Sequence, residues 1–162
     1  MAAAIRILLP VDGSEHALAA VRHALRTAAG VPGSSFVLVN VQEPASLYEV
    51  VVAHDAERIA ALRREAGADL LRAAEALLDA AGASYESEVA GGAPEHLIIE
   101  LAERYGCEAI VMGALGIDEA PGTHGLGAVA QAVAAASAWP VTLVRAPAIE
   151  AEGESGSEPP AA

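Results

Sequence analysis

"VMGALGIDEAPGTHGLGAVA", residues 111–130, is the stretch on which the reading of the fold turns. The apolar run "EAIVM" (108–112) leads into it, glycines 113, 116, 122, 125 and 127 come next, and a small-residue helical pattern (128–137) leaves it. A buried strand passing through a glycine-rich loop into a helix is a unit of parallel α/β architecture, and such loops can present backbone N–H groups to phosphate. Surface loops also collect glycine merely for turns. The loop therefore takes its meaning from the chain around it.

Working outward, "IRILLPV" (5–11) reads as a buried strand that stops at "DGS". Ser14 then caps a helix in which Leu18, Val21, Leu25 and Ala28 share one face before Gly30 ends it. "FVLVNV" (36–41) is the second strand, and residues 56–82 predict a long helical stretch broken only at Gly67, which weakens a helix by about 1 kcal/mol relative to alanine. "ASYESEV" (83–89) alternates apolar and polar, as a third strand with a more exposed face does. Pro94 opens a helix closed by Gly106, 108–112 is the fourth strand, and "WPVTLVR" (139–145) contains the fifth. Five strands alternating with four helical stretches predict an α/β fold, a parallel sheet with right-handed crossovers.

The 162 residues suffice for one domain, expected over 1–145. From 146 to 162 there is no bulky apolar residue beyond Ile149, and four glutamates stand without a cation, so this part reads as an acidic disordered tail. It would serve as a solubilising terminus or as a partner segment.

The formal charge of −13, with no lysine in the chain, disfavours nucleic acid and anionic membrane surfaces as partners. It also removes Walker-loop and Schiff-base chemistry, which need a lysine amine. Cys107 is the single cysteine and reads as a small buried hydrophobe. The N-terminus lacks the pattern of a signal peptide and no segment has membrane-spanning length, so a cytoplasmic protein is expected.

In an open parallel sheet ligands gather beyond the carboxyl ends of the strands where strand order reverses. "PVDGS" (10–14) and the glycine loop both end strands there, so Asp12 becomes a candidate acceptor for a ribose or base edge, with loop N–H groups as phosphate donors. Taken alone, an aspartate at this place is more often a turn or capping residue. His16, His23, His54 and His96 lack metal-site spacing and read as solvated helix or loop residues, while His124 in the loop reads as an exposed residue with a phosphate donor as the alternative. Trp139 and Tyr105 read as core or interface side chains.

The chain resembles the universal stress protein family over nearly all of residues 3–145. The resemblance is carried by "LLPVDGSEHALAAVRHAL", "VAGGAPEHLIIELAERYGCEAIVMGALG" and "WPVTLVR", in that order. It implies a Rossmann-like open five-stranded sheet of order 3-2-1-4-5 with helices on both faces, and a homodimer that often pairs its last strands, here 141–145. Many members bind ATP through a G-x2-G-x9-G-(S/T) pattern. Carried over, that pattern marks Pro10, Val11 and Asp12, Val41 near the base, Gly113 and Gly116 as the first two glycines, and Gly127, Ala128 and Val129 as the third glycine and the two residues after it.

Two departures stand out. Ten residues separate Gly116 from Gly127 instead of nine, and Ala128 replaces the hydroxyl residue that reaches phosphate. One lost neutral hydrogen bond weakens binding several-fold to about tenfold. Asp118 and Glu119 lie inside the loop, and no cation stands between Arg104 and Arg145. The reading favoured by these residues is a non-enzymatic stress-response module, dimeric, acting through protein partners, with weak or no ATP binding. The alternative is a sensor of ATP or AMP, with Mg²⁺ where a nucleotide is bound, using Asp12 and the loop backbone. A nucleotide hydrolase ranks last, because neither a general base in a recognisable motif nor a cation for developing phosphate charge is present.

Overall fold

The computed structural model describes residues 4–28, 30–44, 46–53, 55–120 and 123–147. The expected acidic tail beyond Pro147, and His54, lie outside the described residues. In chain order the elements are β1 (Arg6–Pro10), α1 (Glu15–Ala28), β2 (Ser35–Gln42), α2 (Leu47–Ala53), α3 (Ala56–Ala80), β3 (Ser84–Gly91), α4 (Pro94–Arg104), β4 (Ala109–Gly113), α5 (Ala128–Ala136) and β5 (Val141–Val144). The strands form one sheet of order β3-β2-β1-β4-β5, and every pairing is parallel. This is the architecture expected from the alternation of strands and helices, with the order that the resemblance implies.

Alternation along the strands divides the core into two layers. Ile7, Leu9, Phe36, Leu38 and Val111 face α1 and α3, where Val21, Ala24, Leu71 and Leu78 pack on them. Leu8, Val37, Val39, Ile110 and Met112 face the other way, toward Ile98 and Leu101 of α4 and Val133 of α5. The central strands are thus apolar on both faces, which is why they read as continuous hydrophobic runs. Trp139 and Tyr105 are partly buried against the second layer, and Cys107 is buried beside them.

Two features differ from the expectation. Gly67 does not interrupt α3, which runs unbroken through it. A Cβ there would lie 2.5 Å from Val89 Cγ1 and 2.8 Å from Asn40 Oδ1, so the glycine lets the helix approach β2 and β3 closely. A weak point in an isolated helix is a close-packing position in the fold.

The second difference is α2, a short helix between β2 and α3 that the hydrophobic periodicity does not reveal. Its start carries a reciprocal cap: Ser46 N–H donates to Glu49 Oε2 (2.7 Å) and Glu49 N–H donates to Ser46 Oγ (3.2 Å). "SLYE" (46–49) is therefore an S-x-x-E capping box, the one local signal that announces this helix. Leu47, Tyr48, Val51 and Val52 on it are exposed.

Candidate functional site

The reversal of strand order falls between β1 and β4, and their carboxyl ends open into a cleft of about 520 Å³. All nine residues marked from the sequence line it: Pro10, Val11 and Asp12 after β1, Val41 on β2, Gly113 and Gly116 after β4, and Gly127, Ala128 and Val129 at the start of α5. Residues far apart in the chain meet here because parallel strands all deliver their carboxyl ends to one edge. Asn40, Gln42, Arg63 and Leu70 also line the cleft and are not singled out by the sequence.

The β1–β2 end is held by a polar network centred on a buried amide. Val11 N–H donates to Val39 O (2.8 Å), Asn40 Nδ2 donates to Val11 O (2.8 Å), and Gln42 Nε2 donates to Asn40 Oδ1 (2.6 Å). Asn40 is 2% exposed, and its amide extends the ladder of β1 one residue past the last strand pair. A single polar residue within an apolar strand such as "FVLVNV" is the available signal, since a buried amide must find partners.

Asp12 is a bridge. Ser14 N–H donates to its Oδ1 (3.0 Å) and Ile117 N–H donates to its Oδ2 (2.9 Å). One carboxylate therefore closes the turn after β1 and ties that turn to the glycine loop. Ser14 Oγ accepts from Ala17 N–H (3.1 Å) and caps α1 as expected. An ionised carboxylate has about four acceptor sites, so Asp12 keeps lone pairs for a ligand hydroxyl while holding the loop.

The glycine loop is anchored at both ends. Ala114 N–H donates to Val144 O (2.8 Å), and Gly127 N–H donates to Ala114 O (2.8 Å), folding the loop back on itself. A Cβ on Gly113 would lie 2.9 Å from the backbone of His16 and Ala17, so glycine there lets α1 abut β4. Arg145 donates to Gly125 O: a cation remote in sequence does reach the loop, but it holds a carbonyl.

Ala146 N–H donates to His16 Nδ1 (2.8 Å). His16 is therefore a clasp on the chain leaving β5 and not merely a solvated helix residue. His124 is exposed, in keeping with a loop residue.

At the far end of the cleft α5 begins at Gly127, whose φ of −65° and ψ of 158° make it an N-cap without a side-chain cap bond. The first N–H groups of a helix have no intrahelical partners, and here the cap residue supplies none. Ala128 adds no hydroxyl, and α5 carries no acidic residue in its first turn. Glu119 Oε1 instead lies 2.9 Å from the position a Cβ on Gly127 would take, so a carboxylate packs on the cap residue.

Arg63, the cation of the cleft lining among the described residues, is engaged at the opposite lip. It donates to Glu43 O and pairs with Glu49 Oε2 (2.9 Å). The Ser46 N–H bond, with help from Arg63, holds the Glu49 carboxyl below its usual range. Burial pushes the Cys107 thiol up to about 11, so it is an inert, neutral thiol near neutral pH. Among the described residues no group of three or more His, Cys, Asp or Glu is arranged to hold a metal ion, and no helix is long and apolar enough to cross a membrane.

The cleft therefore joins the Asp12 carboxylate, the uncapped first N–H groups of α5 and the Glu119 carboxylate. Known proteins share its architecture. A universal stress protein of Methanocaldococcus jannaschii is 28% identical over 142 residues, covering 88% of this chain and 82% of its own length. The universal stress protein UspA from Lactobacillus plantarum superposes with a TM-score of 0.75 at 21% identity, over 90% of this chain and 100% of that one. A universal stress protein solved in complex with cAMP is 27% identical, with a TM-score of 0.59, over 86% of this chain and 95% of that one. The model of the universal stress protein family matches residues 5–145, and the chain belongs to that family.

Proposed function

We propose that this protein is a stress-response module, acting without turnover, whose cleft takes an adenine mononucleotide weakly and ATP more weakly still. The observation that carries the reading is the convergence of Asp12, Val41, the loop glycines and the uncapped start of α5 on one cleft of about 520 Å³, a size typical of small-molecule sites. The cAMP complex of a relative at 27% identity supports the same ligand class. Asp12 and the β2 edge would hold the nucleoside, and the first N–H groups of α5 the phosphate.

The deciding experiment is to denature protein purified from cells, identify the nucleotide released, and titrate the emptied protein calorimetrically with AMP and ATP, with and without Mg²⁺. Bound nucleotide or micromolar AMP affinity supports the reading. An empty cleft without heat of binding replaces it with the second one, a nucleotide-independent module that acts only through protein partners.

The proposed unit is the domain 1–145 in the cytoplasm, with an acidic tail at 146–162. It is further proposed to form a homodimer through β5, an edge strand with unpaired backbone groups and partly buried Val141, Leu143 and Val144. A monomeric mass by light scattering at micromolar concentration would remove the dimer.

A further inference from the structure

We infer that Glu119 sets the charge of the ligand the cleft accepts, favouring a nucleoside or a singly phosphorylated nucleotide over a triphosphate. This rests on the nucleotide reading above and adds the residue that selects within it. Three observations lead there.

The first is position. Glu119 Oε1 packs where a Cβ on Gly127 would be, 2.9 Å away; Glu119 is partly buried and lines the cleft beside Gly116, Gly127 and Ala128.

The second is how the position is held. Glu119 N–H donates to Gly116 O (3.2 Å), the preceding Ile117 N–H to Asp12 Oδ2 (2.9 Å), and Gly127 N–H to Ala114 O (2.8 Å). The backbone on both sides of the contact is tied to β1 or to the end of β4, so the carboxylate is presented to the start of α5 by fixed loop geometry.

The third is the lack of compensation. Among the described lining residues Asp12, Glu43, Asp118 and Glu119 are acidic and Arg63 alone is basic. Arg63 is bonded to Glu43 O and Glu49, and Arg145 to Gly125 O.

An anion arriving at α5 thus meets helix N–H groups and one carboxylate together. The N–H groups attract the first phosphate. Each further phosphate adds negative charge near Glu119 without adding a donor, and a repulsive element of this kind discriminates between ligands by their difference in affinity. The stem of Glu119 can swing away, but its charge remains tethered to the loop.

The test is calorimetric titration of the full chain with adenosine, AMP and ATP in Mg²⁺-free buffer, for the native protein, Glu119→Gln, and Glu65→Gln. Glu65 is exposed on α3 and outside the cleft, so its variant matches the change in net charge. The expected result is that ATP binds the native chain more weakly than AMP. Glu119→Gln should improve ATP by about tenfold, AMP by several-fold and adenosine not at all, while Glu65→Gln leaves all three unchanged. The inference is overturned, with nucleotide binding intact, if the native chain takes ATP as tightly as AMP or if Glu119→Gln leaves their ratio as it was. If neither the native chain nor Glu119→Gln binds any of the three, the nucleotide reading fails and the inference falls with it.

Discussion

The two ends of the cleft are built by opposite means. At the β1–β2 end polar side chains are paired: buried Asn40 and partly buried Gln42 complete the backbone network of Val11, and Asp12 ties turn to loop. At the α5 end the backbone does the shaping, and the side chains either withdraw, as at Gly127 and Ala128, or oppose an anion, as at Glu119. One end holds its shape by polar satisfaction, so damage there should appear in stability. The other is shaped mostly by backbone bonds at its cap residue, so changes at the start of α5 should appear in affinity and scarcely in stability.

The largest expected effect lies at the seam beneath both ends. Gly113→Val places a branched side chain where even a Cβ would sit 2.9 Å from the backbone of His16 and Ala17. Overpacking against main chain should cost about 3 kcal/mol, read as a lowered urea midpoint. Unchanged stability would mean that α1 and β4 slide freely and that the cleft has no fixed floor.

Asn40→Ala comes next. It leaves the Val11 carbonyl and the Gln42 amide without their partner and should cost about 2 kcal/mol by the same measurement. A loss below half of that would show that the network is ornamental and would erase the contrast between the ends.

Ala128→Ser sharpens the contrast from the other side. A hydroxyl at the first position of α5 should raise AMP affinity several-fold to about tenfold, with the urea midpoint nearly unmoved. A large gain in stability without a gain in affinity would reassign this end of the cleft to helix capping.

The smallest effect concerns the lip. Glu49 has its carboxyl held below the ordinary value of 4.5, chiefly by the Ser46 N–H and secondarily by Arg63. A depressed folded pKa contributes stability above the unfolded value and loses it as pH falls through the folded one. Helix α2 should therefore loosen on acidification below about pH 4.5, detected as faster amide exchange at Glu49, and Glu49→Gln should abolish that pH dependence. Exchange at Glu49 that ignores pH would remove the cap from the account of the lip.

Legibility follows the range of the interactions. The central strands are readable because burial on both faces demands continuous apolar runs, and α4 and α5 because proline and glycine mark their ends. Helix α2 is legible only through "SLYE", a polar signal that periodicity overlooks. Gly67 reads in sequence by its local propensity, whereas its role depends on Val89 and Asn40, more than twenty residues away in either direction. His16 reads as solvated because its partner, the Ala146 N–H, is 130 residues distant.

The sequence by itself determined the five strands and four of the helices, the acidic charge and the absence of lysine, since each is a property of residue identity or of short-range periodicity, and the missing hydroxyl at Ala128 follows from the family resemblance. Strand-end geometry pointed to Asp12 and the glycine loop, and the family resemblance carried the marking to nine of the residues that line the cleft. Only the tertiary structure decided what those residues do to one another. Asp12 reaches Ile117, Arg145 is spent on a loop carbonyl, and Glu119 lies against the start of α5, because loop geometry fixed by distant backbone bonds decides where a charge comes to rest.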